Sequence, residues 1–387
     1  MASSNTLTGI IPTLYEALNV VSREMVGFIP AVRRDTDVAR AAVGQTVRSP
    51  IGSAGELEDV EAGLNPKNSG GTTVQYANVT ITKSKAAPVL WTGEEQRGVG
   101  TTGTLNEILR DQFADAMRKL VNAMEEDLAL AAKIHASRAV GTAGSTPFGV
   151  AGDLEGFALT RKVLEDNGAP AADLQFVCNS NAMANLRGKQ SVLFKVNEAG
   201  SNDMLRNGMT DRVQGFALRN SAGIKRHIAG TGASFVTAGL STAEAREIAL
   251  AAGTGTILPG DVVTFAADTG NNYVVGAGTD GPGQIVLNRP GLVNEIADAS
   301  GVTLTGDYLP SFGFSRSSIV LAERAPAMPE GGDAADDVEI IVDPLTGLTF
   351  EVALYRQYRR VRYEVAAAWG VGIPNPQHVA ALLGAPQ

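Results

Sequence analysis

The stretch from Val47 to Ala139 limits the fold more than any other part of the chain. Gln45 to Ile51 has the composition of a strand. Thr72 to Trp91 is again extended, with β-branched residues such as Val74, Thr80, Ile81 and Thr82. Between them Gly52 to Gly71 is turn-rich and carries Glu56, Glu58, Asp59, Glu61 and Lys67. The pattern predicts a long hairpin with an acidic tip. Taken alone the tip reads as a solvated loop, but the length of both arms points to a protein interface. A two-stranded hairpin is marginally stable by itself in water, so a neighbouring copy is the natural support.

A long helix follows at once. Thr104-Leu105-Asn106-Glu107 fits a capping box, in which a hydroxyl and a carboxylate serve orphan amides of the first turn. Leu105, Leu109, Phe113, Met117, Leu120, Met124 and Leu128 form one apolar stripe, and no Gly or Pro interrupts before Gly141. About 35 residues at 1.5 Å each predict a helix of roughly 50 Å. Asp115 and Lys119 make an i,i+4 pair on its wet side. The heptad fit is imperfect and the apolar face broad, so the helix is expected to lie on a sheet. Hairpin and helix together reach beyond one compact domain, which favours assembly over catalysis.

At 387 residues the chain has room for two or three domains. Its 44 glycines and 5% aromatic content favour turns and close backbone contacts over a large aromatic pocket. A net charge of −9 makes it a poor general binder of nucleic acid, though suited to sit near DNA without sticking. One cysteine, Cys178, rules out an intrachain disulfide and fits a reducing compartment. The N-terminus lacks the basic and apolar regions of a signal peptide, and no stretch approaches the roughly 20 apolar residues of a membrane span. The expectation is a soluble protein made in the cytoplasm, with no membrane partner.

A short helix opens at Pro12 and Thr13, with Leu14, Leu18, Val21 and Met25 at helical spacing, and Arg33 to Asp37 reads as an arm. From Asp153 to Ile224 the pattern is one α/β layer unit: a helix over Glu155 to Asn167, a buried strand over Leu174 to Cys178, a helix over Asn181 to Lys189, a strand over Val213 to Arg219. From Ile228 to Val302 short strands alternate with Gly-rich turns, which predicts a small barrel or sandwich inserted into the mixed region. Strands return at Ser318 to Glu323, Val338 to Val342 and Leu348 to Ala368, the last two separated by a turn at Asp343 to Gly347.

Catalytic and metal chemistry find little support. His135, His227 and His378 lie on different elements with no Cys or second His at ligand spacing. Cys178 sits in an apolar strand, where a buried inert thiol is expected. No phosphate-binding Gly-rich loop and no G-x-S-x-G occurs, and Gly253-Thr-Gly255 lacks the rest of a dinucleotide loop. The clusters Glu56 to Glu61 and Glu125-Glu126-Asp127 read as solvated faces, with acid–base pairing left open. The one basic cluster is Arg356, Arg359, Arg360 and Arg362. In a single strand Arg356, Arg360 and Arg362 share a face. Ion pairs with the long helix or a neighbour, contact with DNA, and a solvated face all compete. Tyr355, Tyr358 and Tyr363 suggest a well-packed sheet there and favour ion pairing.

The order of parts, with the phrases Trp91-Thr-Gly-Glu-Glu-Gln96, Gly260-Asp-Val-Val-Thr-Phe265, Thr346-Gly-Leu-Thr-Phe350, Ala366-Ala-Ala-Trp-Gly370 and Asn375-Pro-Gln-His378, resembles the major capsid proteins of tailed bacteriophages. It is most similar to the subfamily with a β-barrel insertion domain. The resemblance implies an α+β fold: an N-terminal arm (1–44), an extended loop (45–92), a peripheral domain with a spine helix (93–150 and 335–372), an axial domain (151–227, 303–334 and 373–387) and an insertion domain (228–302). It implies a non-enzymatic shell subunit without cofactor or metal. That subunit forms pentamers and hexamers around double-stranded DNA in the virion and is assembled in the host cytoplasm. The implied partners are further copies of the chain, a separate scaffolding protein, a portal protein, a decoration protein, and packaged DNA by weak non-specific contact. Candidate intersubunit contacts are Glu56, Glu58, Asp59, Glu61 and Lys67 at the tip and Arg356, Arg360 and Arg362 on the basic strand. One branch of the family crosslinks a loop lysine to a neighbouring asparagine; Lys67 has no supporting pocket in sequence, and no crosslink is expected. Two alternatives remain: a cellular nanocompartment shell of the same fold, and a carboxylate-dependent hydrolase.

Overall fold

The computed structural model describes residues 7–25, 27–51, 62, 75–100, 105–190 and 212–386. The tip residues Glu56, Glu58, Asp59, Glu61 and Lys67, and the cap residue Thr104, lie outside the described residues. The chain is a mixed α+β structure built on a six-stranded sheet, a long mixed sheet and a barrel.

The apolar stripe forms one helix, Leu105–His135, of 31 residues. It ends earlier than expected because the chain turns into a short strand, Arg138–Val140. There the Asn288 side-chain amide donates to the carbonyls of Ile134 and Ala136, at 2.7 and 2.9 Å, and satisfies carbonyls that the helix itself leaves open. The helix lies on the six-stranded sheet as its broad face requires. Phe113, Met117, Leu120 and Leu128 share one core with Leu321, Val365 and Trp369. The Asp115–Lys119 pair closes at 2.8 Å.

In that sheet the order is Arg33–Ala41, Val320–Pro326, Arg360–Gly372, Thr349–Gln357 and Asp337–Val342, and Lys83–Thr92 pairs with Arg360 to Trp369 of the third strand. The arm strand Arg33–Ala41 joins in parallel, and the remaining pairs are antiparallel. Two sequence expectations change here. The strand expected over Leu348 to Ala368 is two strands folded at Tyr358 and Arg359, with Arg359 at φ 55°. Neither turn residue is Gly, Asn or Asp, so the alternation on either side runs on as if unbroken. The second arm of the hairpin also divides. Gln75–Thr80 pairs with Thr46–Ile51 in a two-stranded sheet, whereas Lys83–Thr92 belongs to the larger one.

The hairpin is rooted firmly. Thr82 N–H donates to the Trp369 carbonyl at 3.0 Å, and Val79 and Ile81 pack with Ala41, Val320, Ala322 and Ala368. The approach is close enough that a Cβ on Gly370 would overlap the Thr80 carbonyl oxygen. Gly370→Ala should therefore force the root apart and cost about 1–3 kcal/mol, the usual range for overpacking. Thermal unfolding checks it, and an unchanged midpoint would contradict the close crossing.

A second layer is a sheet of Arg138–Val140, Val379–Leu382, Ser311–Ser315, Leu174–Cys178 and Phe216–Asn220. Helices Glu155–Asp166 and Ser180–Lys189 contribute to its core with Phe148, Phe157, Phe176 and Phe216. Asn179 caps the second helix by accepting from Ala182 N–H at 2.8 Å. Cys178 is fully buried in this layer, and burial pushes its thiol far up.

The β-rich segment closes on itself. Val262–Phe265, Gly301–Leu304, Phe235–Thr237, Glu247–Ala251, Gly283–Leu287 and Asp268–Ala277 pair in that order, and the last returns to the first. The result is a six-stranded barrel with its own core, including Phe235, Ile248, Phe265, Tyr273, Ile285 and Leu287. It is tied to the second layer by main chain, since Asn272 pairs Ala139 and Tyr273 pairs Arg138.

Candidate assembly surfaces and the carboxylates behind them

The fold at Tyr358 and Arg359 redistributes the basic cluster. Arg360 lies opposite Gln357 and Arg362 opposite Tyr355, so these four share one face. Arg356 lies opposite Val361 and belongs to the other face. The expectation that Arg356, Arg360 and Arg362 share a face is thus corrected. It assumed one continuous strand, and the turn puts Arg356 on a different one. Arg362 pairs with Glu364 two residues along its own strand, its Nε donating at 2.8 Å. Arg360 donates through Nε to Gln357. The tyrosines also separate. Tyr363 is buried edge-on against Phe113, with centroids 5.4 Å apart, and Tyr355 donates to Asp333 at 2.6 Å. Tyr358 is 88% exposed, with the Arg359 guanidinium 5.7 Å from its ring centre. This end of the sheet therefore presents an aromatic and cationic turn to its surroundings, beside the helix Gly93–Gly100.

The acidic run Glu125-Glu126-Asp127 is not a solvated face. Successive helical residues point about 100° apart, so three neighbours address three directions. Glu125 points at the arm and accepts from Phe28 N–H and Ile29 N–H, both at 2.8 Å, and from the Ser221 hydroxyl at 2.9 Å. Glu126 pairs with Lys225 at 2.8 Å. Asp127 holds Lys83 at 2.5 Å and accepts from the Trp369 indole N–H at 2.8 Å. One turn of the long helix thus joins the segment at Phe28 and Ile29, the loop at Ser221 to Lys225 and the six-stranded sheet. Burial raises the Glu125 carboxyl above its ordinary value, against the pull of its N–H and O–H donors.

Further carboxylates fix the arm. Asp35 receives Arg324 at 2.8 Å, and Glu351 pairs with Arg40, whose Nη1 also donates to the Pro326 carbonyl at 2.8 Å. Glu323 is fully buried between these strands and accepts from Thr349 N–H at 2.8 Å. Burial holds its carboxyl well above the usual carboxylate range. Such a group stabilises the fold fully below its unfolded pKa and loses that contribution as pH rises through its folded value. Glu323→Gln keeps an oxygen for Thr349 and removes the titration. The variant should therefore gain stability relative to the parent as pH rises from about 4 to 8. Urea midpoints across that range test it, and a difference independent of pH would refute the assignment.

At the barrel root the imidazole of His227 lies 2.7 Å from Asp261, both buried, with the Tyr308 ring 4.9 Å away. Asp261 also accepts from Leu258 N–H at 2.7 Å. His135 and His378 are partly buried elsewhere, and burial lowers both pKa values. Among the described residues no group of three His, Cys, Asp or Glu side chains converges as a metal site would require. No described helix is long and apolar enough to cross a membrane.

No protein-family model and no curated protein matches the chain. Among solved structures it is similar to one from Mycobacterium phage Che8 at 11% identity, covering 88% of this chain and 84% of that one, with a TM-score of 0.43. It is similar to the capsid of Cyanophage P-SCSP1u at 11% identity, covering 92% and 87%, with a TM-score of 0.43. It is similar also to a virus-like particle from Pyrococcus furiosus at 11% identity, covering 96% and 98%, with a TM-score of 0.40.

Proposed function

We propose that this chain is the shell subunit of a tailed bacteriophage, a major capsid protein that assembles with copies of itself into pentamers and hexamers around double-stranded DNA. The observation that carries the reading is the hairpin Thr46–Ile51 and Gln75–Thr80, whose strands pair, among the described residues, only with each other. Such a ribbon buries too little to be stable unaided. Tyr76 on it is 54% exposed, as a surface awaiting a neighbour would be. On this reading residues 1–44 are the arm, 45–92 the extended loop, 93–150 and 335–372 the peripheral domain, 151–227, 303–334 and 373–387 the axial domain, and 228–302 an insertion domain. Glu56, Glu58, Asp59, Glu61 and Lys67 would meet a neighbouring subunit, as would Arg356, Arg360 and Arg362. Scaffolding, portal and decoration proteins are the partners such a subunit would have. Electron microscopy with sedimentation tests the reading. Closed particles or capsomer-sized rings are expected, with scaffold present or at high concentration. A monomer at every concentration and salt would overturn it.

A further inference from the structure

The strand Lys83–Thr92 lies at an edge. It pairs along one side with Arg360 to Trp369, and among the described residues nothing pairs with its other side. Its register decides which main-chain groups point outward. The turn at Tyr358 and Arg359 is closed by the pair Gln357 and Arg360, and Gly93 N–H donates to the Arg359 carbonyl at 3.1 Å. Antiparallel bonds come at alternate residues, so the odd-numbered residues of Lys83–Thr92 bond inward and the even-numbered ones face out. Pro88 takes an outward place, where its missing N–H costs the sheet no bond. Thr92, also outward, gives its N–H to the Glu95 carboxylate at 2.8 Å. The N–H groups of Ala86 and Leu90 have no acceptor among the described residues. A groove of about 720 Å³ runs along this side. Lys85 to Leu90 form one wall, and Ile108, Ala116, Leu120 and Ala123 of the long helix line the other. Such a wall is about 20 Å long, room for six residues of extended chain.

The ribbon offers a strand of that length, the six residues Thr46–Ile51. Ile81 N–H donates to the Gln45 carbonyl at 2.9 Å, and by the same alternation Thr46, Arg48 and Pro50 face away from Gln75–Thr80. Pro50 therefore also sits where no bond is lost. Gln75–Thr80 lies against its own sheet, with Val79 and the Thr80 carbonyl close upon Gly372 and Gly370, so Thr46–Ile51 is the strand left to meet another. Its one charge, Arg48, is exposed. On the groove, Asp111 receives Arg110 on Oδ1 at 3.1 and 2.9 Å, and among the described residues its Oδ2 is open. The ribbon cannot fold back onto its own groove. Only Ile81 and Thr82 separate it from Lys83–Thr92, and both are tied down, Ile81 to Gln45 and Thr82 by its N–H to the Trp369 carbonyl.

We propose that the free edge of Lys83–Thr92 takes Thr46–Ile51 of a second copy of this chain as an added strand, with Arg48 toward Asp111. Main-chain bonds supply the affinity and the apolar wall the fit. Placing this contact in a closed shell rests on the reading above; the pairing of two copies does not.

Ala86→Pro removes one outward donor and leaves the inward pairing whole. It should keep the parent's thermal midpoint and weaken association of copies, read by sedimentation, about tenfold, as loss of an interface hydrogen bond does. Ala87→Pro, whose N–H bonds inward, should lower the midpoint. Crosslinking reads the contact directly. Cys178 is buried, so added thiols are the ones that react. Ala86→Cys protein, mixed with mass-tagged Thr46→Cys or Pro50→Cys protein and a short bismaleimide, should give a mixed dimer with at least one of the two. Leu345→Cys, 63% exposed in a turn elsewhere, should give none. Equal destabilisation by Ala86→Pro and Ala87→Pro would overturn the outward assignment and with it the site. So would unchanged association of a folded Ala86→Pro, or copies that never associate. If the mixed dimer forms but no ring or particle does, the shell reading fails and the strand pairing stands. If particles form and neither mixed dimer appears, the strand pairing fails and the shell reading stands.

Discussion

Replacing residues 56–69 by a short Gly linker should abolish particle formation while leaving the monomer folded. The flanking strands Thr46–Ile51 and Gln75–Thr80 keep their own pairing, and the root contacts at Ile81, Thr82 and Trp369 lie outside the deletion. The deleted segment is polar and carries four acids and Lys67, so it adds little to any core and its value should be intermolecular. Far-UV circular dichroism and thermal midpoint should match the parent, and sedimentation should show particles gone. Unchanged particle yield would remove the tip from the assembly account.

The largest loss of monomer stability is expected from Glu125→Ala. That change strands the amides of Phe28 and Ile29 and the hydroxyl of Ser221. Unsatisfied buried donors cost about 1–3 kcal/mol each, so a loss on the order of 3 kcal/mol or more follows. Glu126→Ala, one residue along, removes only the exposed pair with Lys225 and should cost under about 1 kcal/mol. Burial raises the Glu125 carboxyl, so its contribution is complete below the ordinary carboxylate range and declines as pH rises through its folded value. The gap between the parent and Glu125→Ala should narrow accordingly from mildly acidic to neutral pH. Denaturant midpoints of the two alanine variants decide the matter; equal losses would mean that Glu125 does not hold the arm.

Much of the frame was legible because it depends on near neighbours. The stripe from Leu109 to Leu128, the Asp115–Lys119 pair and the buried strand Leu174–Cys178 are all periodic or short-range signals. The barrel was legible as short strands between Gly turns, though closure of its ring requires pairings that no local pattern reveals. What failed did so for identifiable reasons. Tyr358-Arg359 turns without a turn residue, so two strands read as one and Arg356 fell on the wrong face. Glu125 looked solvated because its donors stand 97 and 96 residues away.

The parallel strand at the sheet edge bears on how the chain folds. Arg40 and Pro326, neighbours in that pair, are 286 residues apart. Synthesis proceeds from the N-terminus, so the arm emerges long before the strand it joins. Closing so long a loop makes the first strand among the last to dock, after the sheet it caps has formed. Until then the slot beside Val320–Pro326 is open to the arm of any nearby chain that offers the same residues. At high concentration, exchange of this strand between copies of the chain would preserve every pairing that the single chain makes.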